Sequence, residues 1–235
     1  MKILGLITAR GGSKGLPGKN MLNLGGIPLI EHTFRDVCEL SDLHRIILST
    51  DIVEAAELAN SKFPKIESPF LRPEYLCRDD SNHKDVVQHT LDFLEENGDV
   101  PDAVILFQPT SPFRNLDELK LGLEYLQNGA DSVIGVSKVW HHPAEYLYSQ
   151  ANGKLQFIMS EFAGKRRQEY PDIYFDNGAF YGFTVDFFKS KKKFFDENSK
   201  MLLMSEKSLI DIDTPFDFAV AKGVFQNYLT NIRDV

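Results

Sequence analysis

The chain has 235 residues, 43% of them hydrophobic, enough apolar mass for one α/β domain with an embellishment. Its formal net charge of -8 argues against non-specific nucleic-acid binding, which normally needs a basic surface, but leaves room for an anionic ligand held by a local cationic cluster. The two cysteines, Cys38 and Cys77, fall in no C-x-x-C pair or metal-ligand array, so a disulfide framework is not expected. No apolar run is long enough to span a bilayer and the start, MKILGLITAR, lacks a signal-peptide cleavage pattern; a cytoplasmic enzyme is expected.

Residues 2–8 form a compact apolar run ahead of a Gly-rich segment and predict a buried strand. Helical spacing of apolar residues follows over 28–40, with Pro28 suited to the first turn. A strand at 45–50, helices at 52–63 and 84–96, a strand at 103–107, a helix at 116–127 and a strand at 131–137 continue the alternation. Such alternation predicts a three-layer, mostly parallel Rossmann-like sheet with helices on both faces. Between about 139 and 175 the pattern blurs: His141-His142-Pro143, an Asn-Gly-Lys turn and the basic run Lys165-Arg166-Arg167-Gln168 interrupt it. This stretch reads as an inserted arm. The α/β pattern resumes with GAFYGF, MLLMS and LIDID, and a helix over 214–229 closes it; the whole is expected to be one domain over 1–235. Lys191, Lys192 and Lys193 read as a solvated turn, and His141 and His142 as structural histidines.

The densest site signal is ARGGSKGLPGKN, Ala9 to Asn20, directly after the first strand. Ligands of open α/β sheets bind at the carboxyl ends of strands. Four glycines, Gly11 among them, allow tight turns and close backbone approach, and exposed N–H groups can cradle phosphate oxygens. Arg10, Lys14 and Lys19 add positive charge. The loop is not a Walker A motif, because Ser13 stands where its first glycine should and Asn20 follows Lys19; nor does it contain G-x-G-x-x-G.

The stretch ITARGGSKGLPGKNMLNLGGIPLI resembles the opening signature of the N-acylneuraminate cytidylyltransferases, the CMP-sialic acid synthetases, and of relatives that activate legionaminic and pseudaminic acids. The resemblance extends along nearly the whole chain. It implies transfer of CMP from CTP to an acidic nine-carbon sugar, with Mg²⁺ as cofactor and a homodimer whose arm reaches toward the partner. It implies that Arg10, Ser13, Lys19 and Asn20 hold the triphosphate. In FLRPEYLCRDDS it implies nucleotide contacts at Arg72 and Ser81, with backbone near Ala9 and Ser81 reading the base edge. LFQPTSPFR and RRQEYPDIYFDNGAFYG resemble further family segments, which implies Gln108 near the ribose and sugar and Arg167, Gln168 and Asn177 as sugar contacts, with Arg166 an alternative to Arg167. Glu145 stands where the family often has a lysine, a departure in the sugar pocket.

LIDIDTPFDF resembles the family's metal-binding segment. In a strand, Asp211 and Asp213 would point the same way, and Mg²⁺ is commonly held by one or two carboxylates plus substrate phosphates. Helix capping accounts for Thr214, Pro215 and Asp217 but gives Asp211 no role. With Lys19 and Arg10, the two aspartates are the expected catalytic group. Two alternatives stand beside this reading: a CMP-KDO synthetase or other sugar nucleotidyltransferase of the same fold, and, of another class, a silent nucleotide-binding module.

Overall fold

A computed structural model describes residues 1–78, 80–139, 148–162 and 165–228. Strand β1 (Ile3–Ala9) is buried along its whole length. Ile3 and Ile7 face one core, Leu4 and Leu6 another. A strand apolar on both faces is what a sheet covered by helices on both sides requires. The first core is completed by α1 (Leu29–Cys38), α2 (Val53–Lys62) and α4 (Leu116–Gln127), through side chains such as Phe34, Ala55 and Leu123. The second is completed by α3 (His83–Glu96) and α5 (Val185–Lys191), through Val87, Leu91 and Phe188. Each such fully buried large side chain contributes about 1.5–3 kcal/mol.

The sheet has seven strands in the order β11 (Lys200–Leu203), β7 (Ser132–Lys138), β10 (Tyr174–Thr184), β6 (Ala103–Phe107), β1, β4 (Arg45–Thr50) and β5 (Ile66–Glu67). Its pairs are parallel except those of β10, which runs antiparallel to both β6 and β7. The expected mostly parallel three-layer architecture is therefore present. From β1 the chain steps outward through β4 to β5, then returns to β6 on the other side of β1. The loops after β1 and β6 thus diverge, opening a crevice at the switch point of the sheet.

Within the 139–175 excursion, β8 (Tyr148–Ala151) and β9 (Lys154–Phe157) make a hairpin with its own two-stranded sheet. Asn152 and Gly153 close it at φ 53° and 74°, the left-handed pair that a two-residue turn of this hand needs. His141, His142 and Glu145 lie outside the described residues.

Two local expectations are corrected. Pro28 stands one position ahead of the first turn, as the N-cap of α1, and also ends β3 (Ile27–Pro28), which pairs with β2 (Asn23–Leu24). The LIDID segment is not a sheet strand. It is tied toward the sheet by a backbone bond from Ile212 N–H to the Thr110 carbonyl, 2.8 Å. Alternation survives without a ladder, because Ile210 and Ile212 are drawn into a third apolar cluster with Leu24, Leu29 and Phe218. Phe218 lies on the last helix, α6 (Pro215–Tyr228). The intervening Asp211 and Asp213 are left on the other side.

Candidate active site

The crevice at the switch point encloses about 350 Å³. Thr8 and Arg10 line it from the end of β1, Gln108 and Thr110 from the end of β6, and Lys19, Asp211 and Asp213 from the facing loops. Arg72 and His83 complete the wall on the α3 side.

The Gly-rich loop is held from within. Asn20, 3% exposed, donates through Nδ2 to the Arg10 carbonyl at 3.0 Å, and Gly11 N–H donates to Asp51 Oδ1 at 2.8 Å. Gly15 is required by closeness: a Cβ there would sit 2.4 Å from the Asp213 carbonyl oxygen. Backbone of the loop therefore packs directly on backbone of the acidic segment. Lys19 Nζ ties the same two pieces, donating to Asp213 Oδ1 at 2.6 Å and to the Ile212 carbonyl at 3.0 Å. Arg10 Nη1 donates to the Arg78 carbonyl at 2.6 Å.

Asp217 caps the start of α6 as the capping reading expects. Its Oδ2 accepts from Thr214 N–H at 2.7 Å and Asp213 N–H at 3.1 Å, while Thr214 Oγ1 accepts from Asp217 N–H at 3.2 Å. That box turns the chain so that Asp211 and Asp213 both reach the crevice. Asp211 Oδ1 is buried with no hydrogen-bond partner. Burial raises the Asp211 carboxyl above its ordinary value; a Thr110 hydrogen bond opposes this, Asp213 adds to it and Lys19 opposes it. A buried carboxylate oxygen without a donor, beside a second carboxylate that is 68% exposed, suits a hard cation better than a structural role. Among the described residues no third His, Cys, Asp or Glu joins them, so substrate oxygens and water would have to complete the coordination of such a cation.

Arg72 is 6% exposed and anchored to β4, donating through Nε to Ser49 Oγ at 3.2 Å. Burial lowers its proton affinity. Ser81 does line the crevice, with its hydroxyl donating to the Tyr75 carbonyl at 2.8 Å. Behind the crevice, the Arg114 side chain is 0% exposed and donates to the carbonyls of Gln108 (2.6 Å) and Ala179 (2.9 Å) and to Thr33 Oγ1 (3.0 Å). Burial brings this guanidinium down to about 10 and pushes the nearby Asp36 carboxyl up to about 7.

Some expected site residues are placed elsewhere. Ala9 is buried at the end of β1, and Gly11 and Ser13 sit in the loop without lining the crevice. Asn177, 1% exposed, uses its amide on the fold: Nδ2 donates to Ser137 Oγ and Oδ1 accepts from Ala179 N–H, both at 3.0 Å. It shapes the bulge of β10, where the register with β7 shifts. Arg167 and Gln168 lie on a short 3-10 turn; Gln168 is exposed, and Arg166 is 86% exposed beside Glu169. Sequence reasoning missed Thr8, Arg78, Thr110 and His83, which line the crevice, and Asp51, which holds the loop. Thr110 lies inside the quoted QPTSP segment, and Thr8 one residue before the loop; His83 carried no motif signal.

A cationic Gly-rich loop facing a carboxylate pair at the switch point of a mostly parallel sheet defines a nucleotidyltransferase. The family model described as cytidylyltransferase matches residues 4–229, and the chain belongs to that family. It is 35% identical to the CMP-N,N'-diacetyllegionaminic acid synthase of Legionella pneumophila, over 96% of this chain and 97% of that one. It is 32% identical to an N-acylneuraminate cytidylyltransferase of Streptococcus agalactiae, covering 93% of this chain but 52% of that longer one. It is 28% identical to the pseudaminic acid cytidylyltransferase of Campylobacter jejuni, over 96% and 97%. The fold resembles a CMP:2-keto-3-deoxy-manno-octonic acid synthetase complexed with CTP, with TM-score 0.67 at 14% identity over 96% and 99% of the chains. It also resembles the 4-diphosphocytidyl-2C-methyl-D-erythritol synthase of Anaerococcus prevotii, TM-score 0.64 at 16% identity over 96% of each.

Proposed function

We propose that the chain transfers CMP from CTP to the anomeric hydroxyl of a nonulosonic acid and releases pyrophosphate. The observation that carries this reading is the contact between the cationic loop and the Asp211–Asp213 segment across the switch-point crevice, joined by Lys19. The hydroxyl oxygen attacks the α-phosphorus, the bond to the pyrophosphate oxygen breaks, and the hydroxyl loses its proton. Positioning and charge stabilisation supply most of the acceleration in such transfers.

Arg10 and Lys19 offset the charge of the triphosphate, with Asn20 holding the loop between them in shape. Arg72 and Ser81 flank the nucleotide. Gln108 offers its amide to a sugar hydroxyl. Asp211 and Asp213 are the residues that would hold Mg²⁺, which supplies Lewis-acid polarisation of the α-phosphate when bound. In the free enzyme Lys19 sits on Asp213; phosphate and cation would each claim one member of that pair.

The arm supports a homodimer in this reading. Leu155 (78% exposed), Phe157 and Ile158 present apolar surface on the hairpin and just after it, and Phe175 does so where the chain rejoins the sheet. A cytoplasmic location fits the nucleotide substrate; among the described residues no helix is long and apolar enough to cross a membrane.

Pyrophosphate release from CTP and Mg²⁺ with N-acetylneuraminic, legionaminic, pseudaminic and 3-deoxy-manno-octulosonic acids tests the proposal. Release with a nine-carbon acid is expected. Folded protein that binds CTP but turns over none of these acids would overturn it in favour of the silent binding module.

A further inference from the structure

His83, an exposed residue, is the first of α3 and lines the crevice. Its Nδ1 lies 3.0 Å from Gln108 Nε2. Three cations act on the ring: Arg72 from the segment after β5, Arg10 from the loop after β1, and Lys19 from the turn that ends that loop. Desolvation first, then these three, hold the imidazole below its ordinary proton affinity. A neutral imidazole has one ring nitrogen that donates and one that accepts. On the other side of the amide, Gln108 Oε1 faces Gly178, where an added Cβ would come within 3.2 Å. Gly178 is at φ 68° in the β10 bulge, so that side is kept clear of a side chain.

From this juxtaposition we propose that His83 is a positioning and specificity-determining residue: its unprotonated Nδ1 accepts from Gln108 Nε2 and locks the amide with Oε1 as the acceptor offered to the acidic sugar. The physical reason is that a glutamine amide left alone can turn over and present a donor or an acceptor with equal ease. One acceptor fixed on Nε2 removes that choice. The Gln108 backbone is already fixed from behind by Arg114, so the amide sense is the freedom left for His83 to set. The part of this inference that concerns the sugar rests on the proposed function; the part that concerns the amide and the ring does not.

Two experiments test it. The first needs no substrate. A long-range ¹H–¹⁵N spectrum of the histidine side chains at neutral pH, assigned with His83→Asn, is expected to show His83 protonated at Nε2 and bare at Nδ1, with Nδ1 moving toward its unbonded shift in Gln108→Leu. A His83 protonated at Nδ1, or unmoved by Gln108→Leu, would overturn the proposal even if no acidic sugar were turned over. The second reads kinetics. His83→Leu is expected to raise KM for the acidic sugar about tenfold, one hydrogen bond of about 1.4 kcal/mol, while KM for CTP stays within about twofold. His83→Asn, whose side-chain carbonyl can accept the same bond, should recover most of the loss. In a Gln108→Leu background, His83→Leu should add nothing. Equal failure of both His83 variants, additivity with Gln108→Leu, or a rise confined to the CTP KM would each refute the role. Matching thermal unfolding of the variants and the parent excludes a folding defect.

Discussion

Replacing Asp211 by asparagine separates what the carboxylate costs from what it does. In the folded chain burial raises this carboxyl, and Oδ1 has no donor. A carboxyl raised in the native state keeps its proton at pH values where the unfolded chain, near 3.9, has lost it. The native state then binds more protons than the unfolded one, so stability declines as pH climbs from about 4 through the raised value. Asparagine cannot ionise and escapes that decline. A buried polar group without a partner costs on the order of 1–3 kcal/mol, more when charged. Asp211→Asn should therefore gain about 1–2 kcal/mol on the parent between about pH 4.5 and pH 8, read by urea unfolding without divalent cation. Adding Mg²⁺ should then stabilise the parent by linkage and leave the variant nearly unmoved, while turnover drops about a hundredfold or more. A stability difference that is the same at both pH values would refute the burial argument. An equal Mg²⁺ response in both proteins would refute the use assigned to the carboxylate.

Three further outcomes are expected. Gly15→Ala places a Cβ 2.4 Å from the Asp213 carbonyl oxygen, so loop and acidic segment must part; kcat should fall at least about tenfold with a modest loss of stability, checked by steady-state kinetics beside thermal unfolding. Lys19→Met should lower turnover by about a hundredfold or more, yet change stability by less than about 1 kcal/mol, because Asp213 is 68% exposed and water replaces the lost ion pair; kinetics and urea unfolding measure the two halves. Arg114→Met strips three acceptors of a buried cation and leaves Asp36, 3.9 Å away, uncompensated; unfolding should become easier by about 3–5 kcal/mol, measured by denaturant titration.

Much of the fold was legible because periodicity is local. Apolar residues on both faces of 3–9 and 103–107, and helical spacing over 116–127, reflect which faces must be buried, and that pattern is written in the chain itself. The capping box at Thr214 and Asp217 was equally readable, since all its partners lie within four residues. The LIDID segment misled because alternation alone cannot tell a strand from an extended segment: both bury every second side chain, and only a neighbouring strand supplies the ladder. Asn177 misled because a motif position does not say whether an amide faces a cleft or the back of a bulge.

The sequence by itself determined the alternating architecture, the cationic Gly-rich loop, the acidic pair and, through its motifs, the family. Tertiary structure alone decided which of these meet. It set Gly15 against the Asp213 backbone across nearly the whole length of the chain, left Asp211 Oδ1 without a donor, anchored Arg72 on Ser49, and brought His83 to Gln108. The reason is physical. Hydrophobic spacing and capping act over a few residues, whereas a site at a switch point is made by strands that leave the sheet's centre in opposite directions, and their ends become neighbours only when the sheet has closed around them.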